Sequence, residues 1–425
     1  MSYMKAPTLL LTLFAAQAVA TAPAIAQSAT ASAQRVRSHI AFLADDAREG
    51  RGVGTAGLDS AAQYIARRFA EIGLQEAATH GFLQRFAISP TAVAAAHTGI
   101  GGAAVANVVG ILPGRGALKD QAVVVGAHYD HLGYGGFGSL DADSVHVVHN
   151  GADDNASGTA ALIEVAQLLQ PRSAANARSV VFVAFTGEES GLIGSDYYVK
   201  NPVVPNDSTF AMINMDMVGY LKDNRLTAFG AESAEEFISL LDSVNAPYGF
   251  QIAASGDGYG RSDQQSFFVE KIPVLHFFTG THENYHRTTD DVEHINADGA
   301  ARVASLVADM TWNLATREVP LSFVDAAPPQ MTTGGGYGAY LGTIPDMSES
   351  PGGVRLTGVR AGGPAEQAGI QGGDIIVAIG DFEVADLYGM TDALRELKPG
   401  DKVTIRVQRG DQVLELEATL GTRGG

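Results

Sequence analysis

The chain has 425 residues, 46% hydrophobic and 18% charged, enough for a large buried core and more than one domain, which excludes a disordered tail or a small stapled scaffold. Its 28 Lys and Arg against 47 Asp and Glu give a net charge of -19, which repels phosphate backbones and anionic lipid, and no basic run reverses that field. Cysteine is absent, so thiol nucleophiles, disulfides and thiolate metal sites are excluded together, and any metal must rest on His, Asp and Glu.

Residues 1–26 carry a single charge, Lys5, then an apolar run from Leu9 to Val19, then Ala24-Ile25-Ala26. That layout predicts a secretory signal peptide whose apolar run is too short to span a bilayer, and hence a periplasmic or secreted protein. No later apolar run suggests a membrane span. Ala33 to Leu74 reads as helical, broken by the turn Gly50 to Gly54, which is no dinucleotide fingerprint because no apolar strand precedes it. Strand-length apolar runs then alternate with helix-period stretches. Strands are predicted at Ala122 to Val125, Val180 to Phe185, Phe210 to Asn214, Leu226 to Phe229 and Pro273 to Phe278. Helices are predicted at Ala156 to Leu169, Ala234 to Val244 and Ala297 to Leu314. Continuous apolar strands with helical crossovers imply an α/β fold with a mostly parallel central sheet flanked by helices, over residues 33–318. Residues 319–336 read as a linker, and 337–422 as a small β-rich domain ending in a hairpin, Lys402 to Val407 against Val413 to Ala418.

The chemistry gathers where the predicted strands end, the position at which α/β sheets bind ligands. There the chain places His128 and Asp130, then Asp153 and Asp154 entering a helix, then Glu188-Glu189, Asp216 and His286. Two histidines and several carboxylates converging at one sheet edge need counter-ions, and a pair of divalent metals would supply them. Imidazole with carboxylate and no sulfur suits catalytic zinc, with cobalt or manganese as possible substitutes. Of the neighbours Glu188 and Glu189, one can bind metal while the other stays free as a general base.

Five ordered motifs carry a family resemblance: His128-Tyr129-Asp130, Gly151 to Gly158, Gly187 to Leu192, Asn214-Met215-Asp216 and Tyr285 to Asp290. Together they resemble the M28 peptidases, the bacterial two-zinc aminopeptidase family. The resemblance implies two zinc ions per chain, with His128 and Asp216 on one, Glu189 and His286 on the other, and Asp154 bridging. It further implies metal-bound water as nucleophile, Glu188 as its base, Tyr285 as a donor to the developing oxyanion, and Asp130 and Asp290 steering His128 and His286. The implied substrates are peptides with a free N-terminus. The family often has histidine where Gln264 stands, which bears on the substrate pocket. Other members of the fold are dipeptidases, carboxypeptidases or glutaminyl cyclases, and a catalytically dead peptide-binding scaffold is the alternative from a different class.

A rival motif, His282-Glu283-Asn284-Tyr285-His286, satisfies H-E-x-x-H, which needs a helix that this segment is poorly suited to form. His39, His80, His97 and His294 lack local partners, and His131, His146 and His149 read as belonging to a polar loop. In the C-terminal region Tyr340-Leu341-Gly342, Gly363 to Ile370 and Gly373 to Ile376 resemble PDZ domains in permuted order. That resemblance implies a turn at Tyr340, Leu341 and Gly342 that binds the carboxylate of a C-terminal peptide ligand. The acidic net charge, not this likeness, is what argues for no nucleic-acid partner.

Overall fold

A computed structural model describes residues 1, 31–78, 81–90, 99–135, 138–141, 146–260, 262–325, 339–345, 352–360, 362–385, 387–410 and 412–421. The signal segment beyond Met1 and the centre of the linker lie outside the described residues. Among those described, no helix is long and apolar enough to cross a membrane.

The strands of the large sheet are β1 (Gln75–Glu76), β2 (Leu83–Ala87), β3 (Ala104–Leu112), β4 (Ala122–His128), β5 (Ser179–Phe185), β6 (Thr209–Met215), β7 (Arg225–Phe229), β8 (Gln251–Ser255) and β9 (Val274–Phe278). Their order is β1-β3-β5-β4-β6-β9-β7-β8, with β2 also on β3. The centre, β5-β4-β6-β9, is parallel, and β7 pairs in parallel with β8. β3 joins β5, and β7 joins β9, in antiparallel fashion. Every residue of β4 is buried, as the uninterrupted Val-rich run predicts for a strand covered on both faces. One face packs under the helices Ala56–Ile72, Gly158–Leu169 and Ala297–Thr316, with Ala33–Leu43 packed on the last two, and the other face under Ile193–Lys200 and Gln264–Val269. Each buried Val, Leu, Ile or Phe contributes about 1.5–3 kcal/mol relative to exposure.

The predicted elements are present, with boundaries moved by a few residues. The N-terminal stretch is two helices: Thr55 caps the second by accepting from Leu58 N–H, and Gly73 ends it at φ 89. Between them Asp46–Arg51 is a tight turn whose Glu49, Gly50 and Arg51 all have positive φ. Missing from the sequence expectation are β1, β2, β8 and the nine-residue β3, which has Asn107 near its centre. The Asn107 amide donates to Gln84 Oε1 and the Gly194 carbonyl and accepts from Thr186 N–H, so tertiary contacts satisfy the polar group that breaks the apolar pattern.

A second, separate core lies in the C-terminal region. Its strands are β10 (Thr343–Pro345), β11 (Val354–Val359), β12 (Ile375–Ile379), β13 (Phe382–Glu383), β14 (Lys402–Arg409) and β15 (Gln412–Thr419). They form an antiparallel sheet in the order β10-β11-β12-β14-β15, with β13 on β12. The predicted hairpin is β14-β15, and Leu387–Glu396 is its accompanying helix.

Candidate metal centre

The carboxyl ends of β4, β5 and β6 deliver their acidic and imidazole side chains to one place. His128 ends β4, where Thr159 Oγ1 donates to its carbonyl at 2.8 Å. Its Nε2 lies 3.4 Å from Asp154 Oδ1, 3.4 Å from Asp216 Oδ1 and 3.9 Å from Glu188 Oε2. The other oxygen of Asp154, Oδ2, is 3.1 Å from His286 Nε2, which is also 3.2 Å from Glu189 Oε2. Asp154 thus turns one oxygen toward each histidine, the arrangement of a bridging carboxylate.

Asp154 is distinguished from its neighbour by what each touches. Asp153 Oδ1 accepts from Ser157 Oγ at 2.8 Å and Gly219 N–H at 2.6 Å, and Oδ2 faces His282 Nε2 at 3.1 Å. Its charge is consumed inside the protein. Asn155 fixes the far side by donating to the Met215 carbonyl and accepting from the Gly158 and Met217 N–H groups.

The outer contacts differ in part from those expected. Asp130 joins two loops: its carboxylate accepts from Glu188 N–H at 3.1 Å and from Glu189 N–H at 3.4 Å. His128 Nδ1 is closer to the Asp130 carbonyl, 3.2 Å, than to the carboxylate, 3.7 Å. Asp290 does not steer His286. Its carboxylate accepts from the N–H groups of Asp153 and Asp154 at 3.0–3.1 Å, and so orients Asp154 instead. The His286 ring is set by the Gly138 carbonyl, which accepts from Nδ1 at 2.9 Å and leaves Nε2 toward the carboxylates. A backbone carbonyl can do this from any residue type, so no sequence signal marks it.

Sequence reasoning passed over His131. The ring is 2% exposed, its Nδ1 lies 2.7 Å from Glu189 Oε1, and its Nε2 is buried without a hydrogen-bond partner among the described residues. His131, Asp154 and Glu189 offer donor atoms within 4.8 Å of one another, as do His128, Glu188 and Asp216. The available signal was the second histidine in His128-Tyr129-Asp130-His131, hidden by the glycine-rich loop that follows. His146 is exposed, as a polar loop requires, whereas His149 is buried and bonds Ser139.

H-E-x-x-H is not realised. The segment is a series of turns, His282 stacks on Tyr220 with ring centroids 3.6 Å apart, and Glu283 is exposed. Tyr285 stacks on His286 at 3.9 Å. Gln264 is buried and accepts from Asn214 Nδ2 at 3.3 Å, so it packs behind the strand that ends at Asp216.

The electrostatics separate the carboxylates. Burial together with the charges of Glu189, Asp216 and Asp263 outweighs His128 and lifts Glu188 well above the usual range. Burial also opposes ionisation of Asp154 and Glu189, but hydrogen bonds from His128 and His286 hold Asp154 well below its usual value, and His286 holds Glu189 at about 2. For the histidines burial acts downward, yet Glu188 and Asp216 raise His128, and Glu189 and Asp154 raise His286. Glu188 therefore holds a proton more tightly than a free carboxylate does, while Asp154 and Glu189 give theirs up more readily. The donor set of imidazole and carboxylate groups fits hard or borderline divalent ions such as zinc, and Asp216 Oδ1 is buried without a hydrogen-bond partner among the described residues.

Residues 107–311 match the model of peptidase family M28, and residues 339–420 match that of the PDZ domain. Aminopeptidase YwaD of Bacillus subtilis is 27% identical over 225 residues, covering 50% of this chain and 45% of the relative. Leucine aminopeptidase 1 of Uncinocarpus reesii is 26% identical over 231 residues, covering 50% and 55%. The chain thus spans about half the length of these curated relatives. Among solved structures, a Zn-dependent exopeptidase from Parabacteroides distasonis superposes with a TM-score of 0.56 at 20% identity, over 67% of this chain and 99% of that one. BSAP, a zinc aminopeptidase from Bacillus subtilis, gives 0.55 at 18% identity, over 68% and 96%. A glutaminyl cyclase from Bacteroides thetaiotaomicron also gives 0.55, at 18% identity over 67% and 99%, so the fold alone does not select the reaction. Taken with the site at the carboxyl edge of the sheet, these matches show a peptidase family M28 domain over residues 107–311 followed by a PDZ domain over residues 339–420.

Proposed function

We propose that this protein is a two-zinc aminopeptidase that removes N-terminal residues from peptides. The observation that carries the reading is Asp154, whose two oxygens face His128 and His286 separately at 3.4 and 3.1 Å. His128 and Asp216 would hold one ion, Glu189 and His286 the other, and Asp154 both. Bound there, the ions would supply Lewis acidity toward the scissile carbonyl and a hydroxide nucleophile near neutral pH. Glu188, fixed by its own N–H on Asp130, takes the proton from the attacking water and returns it to the leaving amine. Tyr285, stacked on His286, is proposed as a hydrogen-bond donor to the developing oxyanion. The preference for a free N-terminus is drawn from the likeness to relatives named aminopeptidases. A panel of peptides with free and N-acetylated termini tests this: cleavage confined to free termini is expected, and cleavage of blocked peptides alone sinks it.

The PDZ domain is proposed to bind peptide C-termini at Tyr340, Leu341 and Gly342. The Leu341 carbonyl is engaged inward by Ala365 N–H at 2.7 Å, which directs the Gly342 N–H the opposite way across a trans peptide. Binding of a peptide with a free C-terminal carboxylate, and not of its amide, is the expected result. The segment ending Ala24-Ile25-Ala26 supports export to the periplasm or medium, which N-terminal sequencing of the fractionated protein checks.

A further inference from the structure

The turn Asp46–Arg51 lies outside the residues matching family M28, yet among the described residues it supplies the largest fully buried charged side chain. Arg51 is 0% exposed. Its guanidinium makes no ion pair within the described residues and donates instead to four backbone carbonyls. Nε reaches Tyr129 at 2.7 Å, Nη1 reaches Leu43 at 2.7 Å and Asn150 at 2.6 Å, and Nη2 reaches Gly151 at 2.8 Å. Tyr129 stands between His128 and Asp130, while Asn150 and Gly151 lead directly into Asp153 and Asp154. One rigid fork therefore clamps the two loops that carry the first histidine and the bridging carboxylate.

The backbone of the same turn reinforces the clamp. Arg51 carbonyl accepts from His131 N–H at 3.2 Å, and the Gly50 carbonyl accepts from Gly133 N–H at 3.1 Å. Gly50 has φ 55, and a Cβ there would stand 2.4 Å from the carbonyl oxygens of Gly133 and His149, so only glycine allows this approach. Burial lowers the guanidinium to about 10, opposed by Asp130, Asp154, Asp290 and Glu189, and the group remains charged at neutral pH. Its counter-charges are the carboxylates of the centre itself.

We infer that Arg51 is a positioning residue that fixes the His128–His131 and Asn150–Asp154 loops in ligating geometry before any ion arrives. The inference rests on the metal-centre reading of those side chains, and a preorganised donor set binds an ion without first ordering its loops. Lysine keeps the charge, but its single ammonium cannot span the four carbonyls that the planar fork reaches. In the full chain, Arg51→Lys is expected to weaken zinc binding by roughly 10–100-fold in chelator competition. Unchanged zinc affinity in a folded Arg51→Lys protein, with only a lower metal-free melting temperature, would mean a purely structural role and overturn the inference.

A second measurement needs neither the variant to fold nor zinc to bind. Hydrogen exchange on the chelator-stripped wild type should find the His131 and Gly133 amides protected, since both donate to the Arg51 turn. Rapid exchange at both in the metal-free protein overturns the clamp even if the zinc reading stands. Protection of both in a wild type that binds no zinc leaves the clamp and sinks the metal function.

Discussion

Glu188→Gln separates a proton-transferring carboxylate from a metal ligand. The amide is isosteric, and the backbone of residue 188 is held independently by its N–H on Asp130 at 3.1 Å, so the variant should keep the loop. It removes a buried carboxyl whose affinity for a proton is raised by burial and by the charges of Glu189, Asp216 and Asp263. A raised carboxyl weakens the fold as pH rises above its unfolded value, so the metal-free variant should be at least as stable as wild type at neutral pH. Loss of a positioned general base costs about 10²–10⁴-fold in kcat, or roughly 3–5 kcal/mol of barrier. The assay is hydrolysis of a free-amino dipeptide with zinc content measured on the same sample. Because Glu188 Oε2 is also 3.9 Å from His128 Nε2 and grouped with Asp216, a ligand role is the concrete rival. Parallel loss of zinc and activity would refute the base assignment, as would unchanged kcat. Glu283→Gln, at the exposed position of the H-E-x-x-H segment, should leave kcat within twofold, roughly the noise of an unperturbed barrier.

Further outcomes follow from individual contacts. His131→Ala removes the donor to Glu189 Oε1 and should weaken the ion held by Glu189 and His286 by about 10–100-fold while the other site is spared, which stepwise zinc titration reads. His39, buried on the Tyr64 hydroxyl, is held at about 4 by desolvation, with Glu164 acting upward and Arg68 and Arg35 downward. Its folded value lies below the unfolded one, so its contribution is complete above about pH 6.5 and is lost as pH falls toward 4. Between pH 7 and 5 the chelator-stripped protein should lose about 2 kcal/mol from this group, and His39→Gln should flatten that slope of urea stability. In Gly57→Ala the new Cβ would meet the Arg48 carbonyl oxygen at 1.9 Å; the metal-free protein should be destabilised by roughly 1–3 kcal/mol, and an unchanged urea midpoint would contradict the packing.

The central strands were legible because burial on both faces demands an unbroken apolar run, and β4 and β5 have one. His128, Glu188, Glu189 and Asp216 were legible because each lies just past such a run, where a charged side chain has no packing reason to be, and Asp154 because it stands at the entry to a helix. β3 was hidden by Asn107, whose partners come from 23 to 87 residues away in sequence. The hold on His286 was hidden because a backbone carbonyl makes it, and the role that the resemblance implies for Asp290 differs from its contacts, which run to the Asp153 and Asp154 N–H groups 137 and 136 residues away in sequence. Arg51 was passed over in a glycine-rich turn that reads as a loop. Four carbonyl acceptors scattered from Leu43 to Gly151 leave no local pattern.

Titration of zinc into chelator-stripped full-length protein, with simultaneous release of a free N-terminal residue as the readout, bears most directly on the two-ion aminopeptidase. Asp154 facing both histidines predicts two bound equivalents, with activity on free-amino peptides appearing as they fill and disappearing again on chelation. Saturation at one equivalent with full activity, or hydrolysis that persists in the stripped protein, would contradict it.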